Sequence, residues 1–246
     1  MKLALAQMRV EGGQPARNLA RAEERIAEAA GAGADIVLLP EALDHGWTHP
    51  SARTATAGDS LDRLRKAARV HGIMVCAGLV EHDRARLFNT AYLLERDGTV
   101  LTRHRKVNEL EIAHDLYSRG STAEAVAETR FGRIGLQVCA DGFAEGQWIS
   151  RALAARGARG ILSPCAWAVP PGFTGVYGRL WRDHYGSVSR DCRIWIAGCS
   201  NVGTLTEGPW RGRHCIGNSL VFDATGREAL TGPFGKDAEE LLKIEL

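Results

Sequence analysis

The sequence predicts a mixed α/β fold in a single domain that spans residues 1–246. Apolar runs of strand length alternate with segments of helical periodicity along the whole chain, which is the pattern of α/β proteins. Pairs of strand-like runs separated by turn sequences place hairpins within that alternation. A chain of 246 residues is long enough for a sizeable core, and no linker, low-complexity tract or internal repeat divides it.

In the first half of the chain, each element is predicted from its apolar spacing and from the residues that end it. Leu19, Ala22 and Ile26 recur at helical spacing after Pro15, and proline is favoured in the first turn of a helix. A hairpin turn is indicated by Arg96-Asp97-Gly98. The predicted elements are strands at 1–7, 36–39, 73–80, 88–94 and 99–102, with helices at 15–30 and from 59 or 60 to 72.

In the second half of the chain, the most informative stretch runs from Gly132 to Gly142. Ile134, Leu136 and Val138 alternate as in a strand that ends at Cys139, and a turn and a helix from residue 144 follow. Free N–H groups and the positive end of a helix dipole collect at such a junction, and both favour a thiolate. The alternative for an isolated cysteine is a plain core residue. The other predicted elements are strands near 125 and at 160–162, 194–199, 217–222, 228–230 and 241–246, and a helix at 178–191.

Composition and charge exclude several classes of function. The formal net charge is +2 and the arginines are scattered, so nothing favours a nucleic acid or an acidic membrane as partner. No apolar stretch approaches the ~20 residues of a membrane span, and residues 1–7 are too short for a signal peptide. The six cysteines form no CxxC pair and no metal-site spacing, so we expect reduced thiols, no metal and a cytoplasmic location.

Reactive side chains follow three predicted strands. Glu41, Lys106 and Cys139 each come at or just after a strand end, where α/β proteins gather their functional groups. A lysine ammonium at ~4 Å contributes about 4 kcal/mol at an effective dielectric of ~20, which would lower a thiol pKa by up to about three units. An ionised glutamate beside the thiol acts in the opposite direction, which fits a general base. The ammonium and the backbone N–H of Ala140 would stabilise an oxyanion.

The three segments around these residues resemble the signatures of the nitrilase, or carbon–nitrogen hydrolase, superfamily. The matching segments are Leu-Leu-Pro-Glu41-Ala, His-Arg-Lys106-Val and Gly-Leu-Gln-Val-Cys139-Ala-Asp, in the order and strand context of that family. Because Ala140-Asp141 follows the cysteine, the sequence is closer to the amidase and N-carbamoyl hydrolase branches than to true nitrilases. Later segments also resemble the family: Pro164-Cys165-Ala166-Trp167, Ser200-Asn201-Val202-Gly203 and Gly217-Asn218-Ser219.

The resemblance implies a four-layer αββα sandwich with mixed sheets, which usually forms dimers or larger homo-oligomers. It implies cleavage of a non-peptide C–N bond through a cysteine thioester, without a cofactor. Cys139 would then be the nucleophile, Glu41 the general base and Lys106 the group that holds the oxyanion. The family usually has a second glutamate between the lysine and the cysteine. Glu111 is the expected equivalent, with Glu109 and Asp115 as alternatives.

The substrate pocket is expected to come from loops near these residues. Trp47, Phe143 and Trp167 are candidate substrate-binding residues, with Tyr177 beside them. An arginine such as Arg119 would suit a substrate carboxylate.

The leading functional hypothesis is an amidase that hydrolyses a small linear amide to ammonia and a carboxylic acid. The alternatives are an N-carbamoyl hydrolase, an acyl transferase and a non-catalytic binding or scaffold protein on the same fold. A Cys–His dyad is disfavoured, because no histidine has a comparable motif context and Glu41 and Lys106 would be left without roles.

Overall fold

The computed structural model describes residues 1–56 and 58–246. Over these residues the structure contains two six-stranded mixed sheets, a small three-stranded sheet and four α-helices. The strands are β1 (Lys2–Gln7), β2 (Ile36–Leu38), β3 (Met74–Asp83), β4 (Arg86–Leu94), β5 (Val100–Arg105), β6 (Val126–Thr129), β7 (Gly132–Leu136), β8 (Gly160–Cys165), β9 (Ala168–Val169), β10 (Trp195–Ser200), β11 (Val202–Thr204), β12 (His214–Ile216), β13 (Leu220–Phe222), β14 (Glu228–Thr231) and β15 (Glu240–Glu245). The helices are α1 (Pro15–Gly31), α2 (Asp59–His71), α3 (Trp148–Ala155) and α4 (Arg179–Cys192).

Each large sheet has three parallel strands at its centre. The first sheet has the order β15-β1-β2-β3-β4-β5, with β1, β2 and β3 parallel. The second has the order β14-β13-β10-β8-β7-β6, with β10, β8 and β7 parallel. The other neighbours in both sheets pair antiparallel. The predicted mixed α/β fold is confirmed.

Apolar side chains on both faces of the first sheet explain the layered packing. Leu3 and Leu5 on β1 belong to a core shared with the second sheet, whereas Ala4 and Ala6 pack against α1 and α2. A strand directs successive side chains to opposite faces, so this sheet is covered on both sides. The second sheet packs its outer face against α3 and α4, giving the layer order α-β-β-α that the resemblance implied.

Most predicted elements are present, with differences at the centre of the second half. The predicted inward face of α1 is confirmed, with Leu19, Ala22 and Ile26 buried. The helix predicted from residue 144 begins at Trp148, because two short 3₁₀ turns occupy residues 139–147. The three-stranded sheet of β9, β11 and β12 is not predicted, because strands of two or three residues are too short to show a period.

None of the helices that the structure describes is both long enough and apolar enough to cross a membrane.

Candidate active site

Glu41 lies just beyond β2, where the backbone of the neighbouring strand fixes its position. Its carboxylate is fully buried, and its backbone N–H donates to the carbonyl oxygen of Cys165 at 3.2 Å. Gly78 on β3 passes so close that a Cβ there would lie 2.6 Å from the Cα of Glu41. Glycine at position 78 therefore allows the first sheet to hold the Glu41 backbone against the second.

Lys106 follows β5 and is also fully buried, as the longest charged side chain in the core. Its Nζ lies 2.8 Å from Oε1 of Glu41 and 2.9 Å from Oε1 of Glu109. The ring of Trp47 lies 5.3 Å from the same nitrogen, within the range of a cation–π contact. Burial acts to lower the pKa of Lys106, but the carboxylates of Glu109 and Glu41 outweigh it and raise that pKa well above its usual value. The ammonium is therefore charged at every physiological pH.

The loop after Lys106 contributes one carboxylate to the lysine, and that carboxylate belongs to Glu109. The prediction that Glu111 makes this contact is wrong. Glu109 is buried, whereas Glu111 and Asp115 are exposed. Residues 111–113 form a short 3₁₀ turn, and this turn directs the Glu111 side chain to solvent. Burial, partly offset by Lys106, raises the pKa of Glu109.

Asn89 is a site residue that the sequence did not single out. It lies on β4, is fully buried, and donates from Nδ2 to Oε1 of Glu41 at 2.6 Å. Oε1 of Glu41 thus accepts from both Asn89 and Lys106, whereas Oε2 is buried without a hydrogen-bond partner among the described residues. One oxygen of the carboxylate is held in place, and the other is free to take a proton.

Cys139 lies three residues beyond the end of β7, in the first of the two 3₁₀ turns. Its φ is +45°, in the left-handed region that a non-glycine residue rarely adopts. Such strain persists only where the surroundings enforce it, and it is frequent at active sites. The thiol is buried, and its neighbours include Cys165, the residue whose carbonyl oxygen accepts from Glu41.

The charge state of this thiol differs from the expectation of a lysine-activated thiolate. Burial raises the pKa of Cys139 well above its usual value, and the neighbouring Cys165 and the negative charge of Glu41 raise it further. Lys106 lowers the pKa of Cys139, but its effect is smaller than that of burial and does not reverse the shift. The resting cysteine is a thiol, so any attack needs a base.

Asp141 joins the cysteine turn to the loop that carries the lysine. Its Oδ1 accepts from the backbone N–H groups of Val107 and Asn108, and its Oδ2 accepts from the N–H of Val138 and contacts Nε2 of His104 at 2.8 Å. Burial opposes ionisation, but His104 and these hydrogen bonds keep the pKa of Asp141 below its usual value. The buried carboxylate thus fixes the cysteine relative to Lys106. From the sequence alone, Asp141 was named only as part of the segment that resembles the family, without a role in the site.

The predicted oxyanion residue, Ala140, lies in the same turn. Its carbonyl oxygen accepts from Nδ2 of Asn108 at 2.7 Å, which adds a second link between the cysteine turn and the Lys106 loop.

A cavity of about 390 Å³ opens beside Cys139. All three predicted substrate-binding residues line it, together with Tyr177. Arg119 is absent from the lining, and its Nε donates to the carbonyl oxygen of Val107 at 3.1 Å. The aromatic residues of the wall include Trp47, Phe143, Trp167, Phe173, Tyr177 and Trp181.

Comparison with known proteins agrees with the geometry. Residues 2–246 match the family described as carbon–nitrogen hydrolase. The omega-amidase NIT2 of Bos taurus is 31% identical over 185 residues, which are 70% of this chain and 65% of that protein. A nitrilase of Pyrococcus abyssi is 28% identical over 177 residues, which are 69% of this chain and 66% of that protein. The chain spans between about half and two thirds of the length of the curated relatives it matches.

Among solved structures, the chain is similar to the amidase from Nesterenkonia sp. AN1. A mutant of that amidase, solved in complex with butyramide, superposes with a TM-score of 0.85 at 25% identity and covers 100% of this chain and 90% of its own. The similarity therefore extends over the whole of both sheets and their helices.

Proposed function

This chain is a carbon–nitrogen hydrolase, and we propose that within that family it is an amidase that cleaves a small linear amide through a thioester on Cys139. The products are ammonia and a carboxylic acid. The similar amidase whose mutant was solved with butyramide supports a linear amide as the substrate class.

The proton of the nucleophile goes to Glu41. The raised pKa of Cys139 means that the thiol must lose its proton as it attacks, and the buried Oε2 of Glu41 has no competing partner among the described residues. A positioned general base contributes typically 10²–10⁴-fold to the rate. As the S–C bond forms, the S–H proton moves to Glu41 and the carbonyl oxygen takes the negative charge.

Lys106 stabilises that oxyanion. An ammonium has three N–H donors, and two of them are directed at Glu41 and Glu109. The third N–H remains for the oxyanion, together with the backbone N–H of Ala140. Donors fixed in advance in a buried site reorganise little when the charge develops, which is why such groups are effective.

Collapse of the tetrahedral intermediate breaks the C–N bond. Glu41 returns its proton to the departing nitrogen, so that neutral ammonia leaves and a thioester remains. Water then attacks the thioester carbonyl while Glu41 takes its proton, with Glu109 holding Lys106 in place. Collapse of this second intermediate breaks the C–S bond, Glu41 returns the proton to the sulfur of Cys139, and the carboxylic acid leaves; no cofactor takes part.

The observation that carries the proposal is a buried thiol beside a buried carboxylate, of which one oxygen is held by two hydrogen bonds and the other has no partner among the described residues. A purely structural ion pair between Glu41 and Lys106 would not require a strained cysteine at φ +45° beside it.

The test is a panel of small amides and carbamoyl compounds with ammonia as the readout. We expect turnover of linear amides such as butyramide by the wild type and none by Cys139→Ala. Release of carbon dioxide with the ammonia from carbamoyl compounds alone would instead identify an N-carbamoyl hydrolase, and new amides formed from added amines would reveal acyl transfer. A panel without any turnover would contradict the proposal.

We also propose a homodimer or larger homo-oligomer in the cytoplasm. The family resemblance supports the assembly. The cysteines of the described residues are free thiols, which supports a reducing compartment. Sedimentation at several protein concentrations measures the assembly.

A further inference from the structure

The cavity beside Cys139 is larger than a simple aliphatic amide requires. A dry apolar cavity of about 150 Å³ already holds a benzene molecule. The volume here is about 390 Å³, with Cys139 in its wall. There is room for an aromatic ring and a short linker between that ring and the reacting carbonyl.

Several aromatic rings of the cavity wall pack against one another. The centroid of Trp181 lies 4.7 Å from that of Phe143 at an interplanar angle of 68°, and 4.8 Å from that of Trp167 at 34°. A further pair in the wall, Trp47 and Trp210, is 5.2 Å apart and nearly perpendicular. Edge-to-face and offset arrangements of this kind are favourable beyond the area they bury, and a ligand ring can extend them.

Charge is nearly absent from the same wall. Among the described residues that line the cavity, Arg179 is the only charged one; its side chain is 89% exposed and lies 3.7 Å from Asp183. Of the nearby cations, Lys106 is already paired with two carboxylates, and Arg213 lies over the ring of Trp210 at 4.1 Å without lining the cavity. A substrate carboxylate entering this cavity would lose its water without gaining a buried partner, which is costly.

We infer that the preferred substrate carries a neutral aromatic or arylalkyl acyl group, which the aromatic wall of this cavity binds. The inference rests on the proposed amidase function, because it assigns the acyl side of the amide that Cys139 attacks. It separates this chain from an enzyme whose substrate amide carries a free carboxylate. Burial of a phenyl group favours binding by about ten- to a hundredfold.

Binding to Cys139→Ala tests the inference without requiring turnover. Isothermal titration would compare 3-phenylpropionamide, butyramide and succinamate, the monoamide that ends in a carboxylate. We expect the Kd of 3-phenylpropionamide to be at least tenfold lower than that of butyramide, and succinamate to bind more weakly than either. Equal affinities for the two neutral amides, or binding of succinamate as tight as that of 3-phenylpropionamide, would overturn the inference.

The proposed function is tested separately, by ammonia release from the same compounds with the wild type. Failure of the wild type to hydrolyse any amide would refute the amidase function, whereas hydrolysis without an aromatic preference would refute only the substrate class. The two failures therefore appear in different measurements.

A pair of matched variants locates the preference in the wall. Phe143 is half-buried and lines the cavity, whereas Phe131 is half-buried in the turn between β6 and β7 and does not line it. In the Cys139→Ala background, Phe143→Leu should reduce the affinity ratio, the Kd of butyramide divided by the Kd of 3-phenylpropionamide. We expect a reduction of about three- to tenfold, which is the contribution of one aromatic contact. Phe131→Leu should leave the ratio unchanged. An equal ratio in both variants would contradict the assignment of the ring to this wall.

Discussion

Glu41→Gln should reduce kcat for amide hydrolysis by at least about a thousandfold while leaving the fold intact. The glutamine oxygen can still accept from Asn89 and Lys106, so both hydrogen bonds of Oε1 are kept. The oxygen without a partner becomes an NH₂ group, which cannot take the proton of the thiol. Steady-state ammonia release and thermal unfolding of the same preparation measure the two effects.

The same substitution should make the thiol of Cys139 easier to ionise, although it lowers kcat. Burial is the largest cause of the raised pKa of Cys139; the negative charge of Glu41 raises that pKa further and Lys106 lowers it, so removing the carboxylate removes one of the effects that raise it. The pH midpoint of Cys139 alkylation should therefore fall in Glu41→Gln, although turnover is lost. As the control, Glu111→Gln replaces an exposed carboxylate and should keep nearly wild-type kcat. More than a tenth of wild-type kcat in Glu41→Gln would refute the role of general base.

Lys106→Met should abolish turnover and destabilise the protein by about 3–5 kcal/mol. Methionine fills a similar volume but leaves the carboxylates of Glu41 and Glu109 buried together without a cation. Breaking a buried ion pair costs this much because the remaining charge is uncompensated. Urea unfolding at pH 8 gives the free energy, with Lys66→Met on the exposed face of α2 as a matched control that should change it by less than about 0.5 kcal/mol.

The stability lost in Lys106→Met should depend on pH, and the loss should be smaller at lower pH. Burial already raises the pKa of Glu109 and Lys106 lowers it, so loss of the ammonium raises it further. A carboxyl whose folded-state pKa exceeds the unfolded value of about 4.3 stabilises the fold below that value and loses this stabilisation as the pH rises through the folded pKa. The variant should therefore recover stability between pH 8 and pH 5, and adding Glu109→Gln should reduce the deficit at pH 8. A deficit that does not change with pH would show that lost packing, not charge, dominates.

Sequence reasoning could find Glu41, Lys106 and Cys139 because each follows a strand whose apolar pattern is visible, and the structure brings Lys106 into contact with Glu41. It could not choose Glu109 over Glu111, because that choice depends on the backbone of a loop. The observed 3₁₀ turn begins only at Glu111, and Glu109 lies before it with its carboxylate directed at the lysine.

The remaining site residues have no local signal at all. Asn89 lies within an apolar strand, and its role arises only because β4 pairs with β3, which pairs with β2, so that Asn89 comes beside Glu41. The charge state of Cys139 was equally hidden, because the sequence does not show how deeply the thiol is buried, and burial is the largest cause of its raised pKa. These properties depend on three-dimensional neighbours rather than on spacing along the chain.

The central claim is that Cys139 forms a thioester with the acyl group of the substrate. Its most direct test is intact-protein and peptide mass spectrometry of the wild type, quenched in acid while it hydrolyses butyramide. We expect a fraction of the protein to carry one butyryl group, located on the peptide that contains Cys139, and no such species in Cys139→Ala. Hydrolysis of butyramide by Cys139→Ala at a rate near that of the wild type, or a butyryl group located on another residue, would contradict the account.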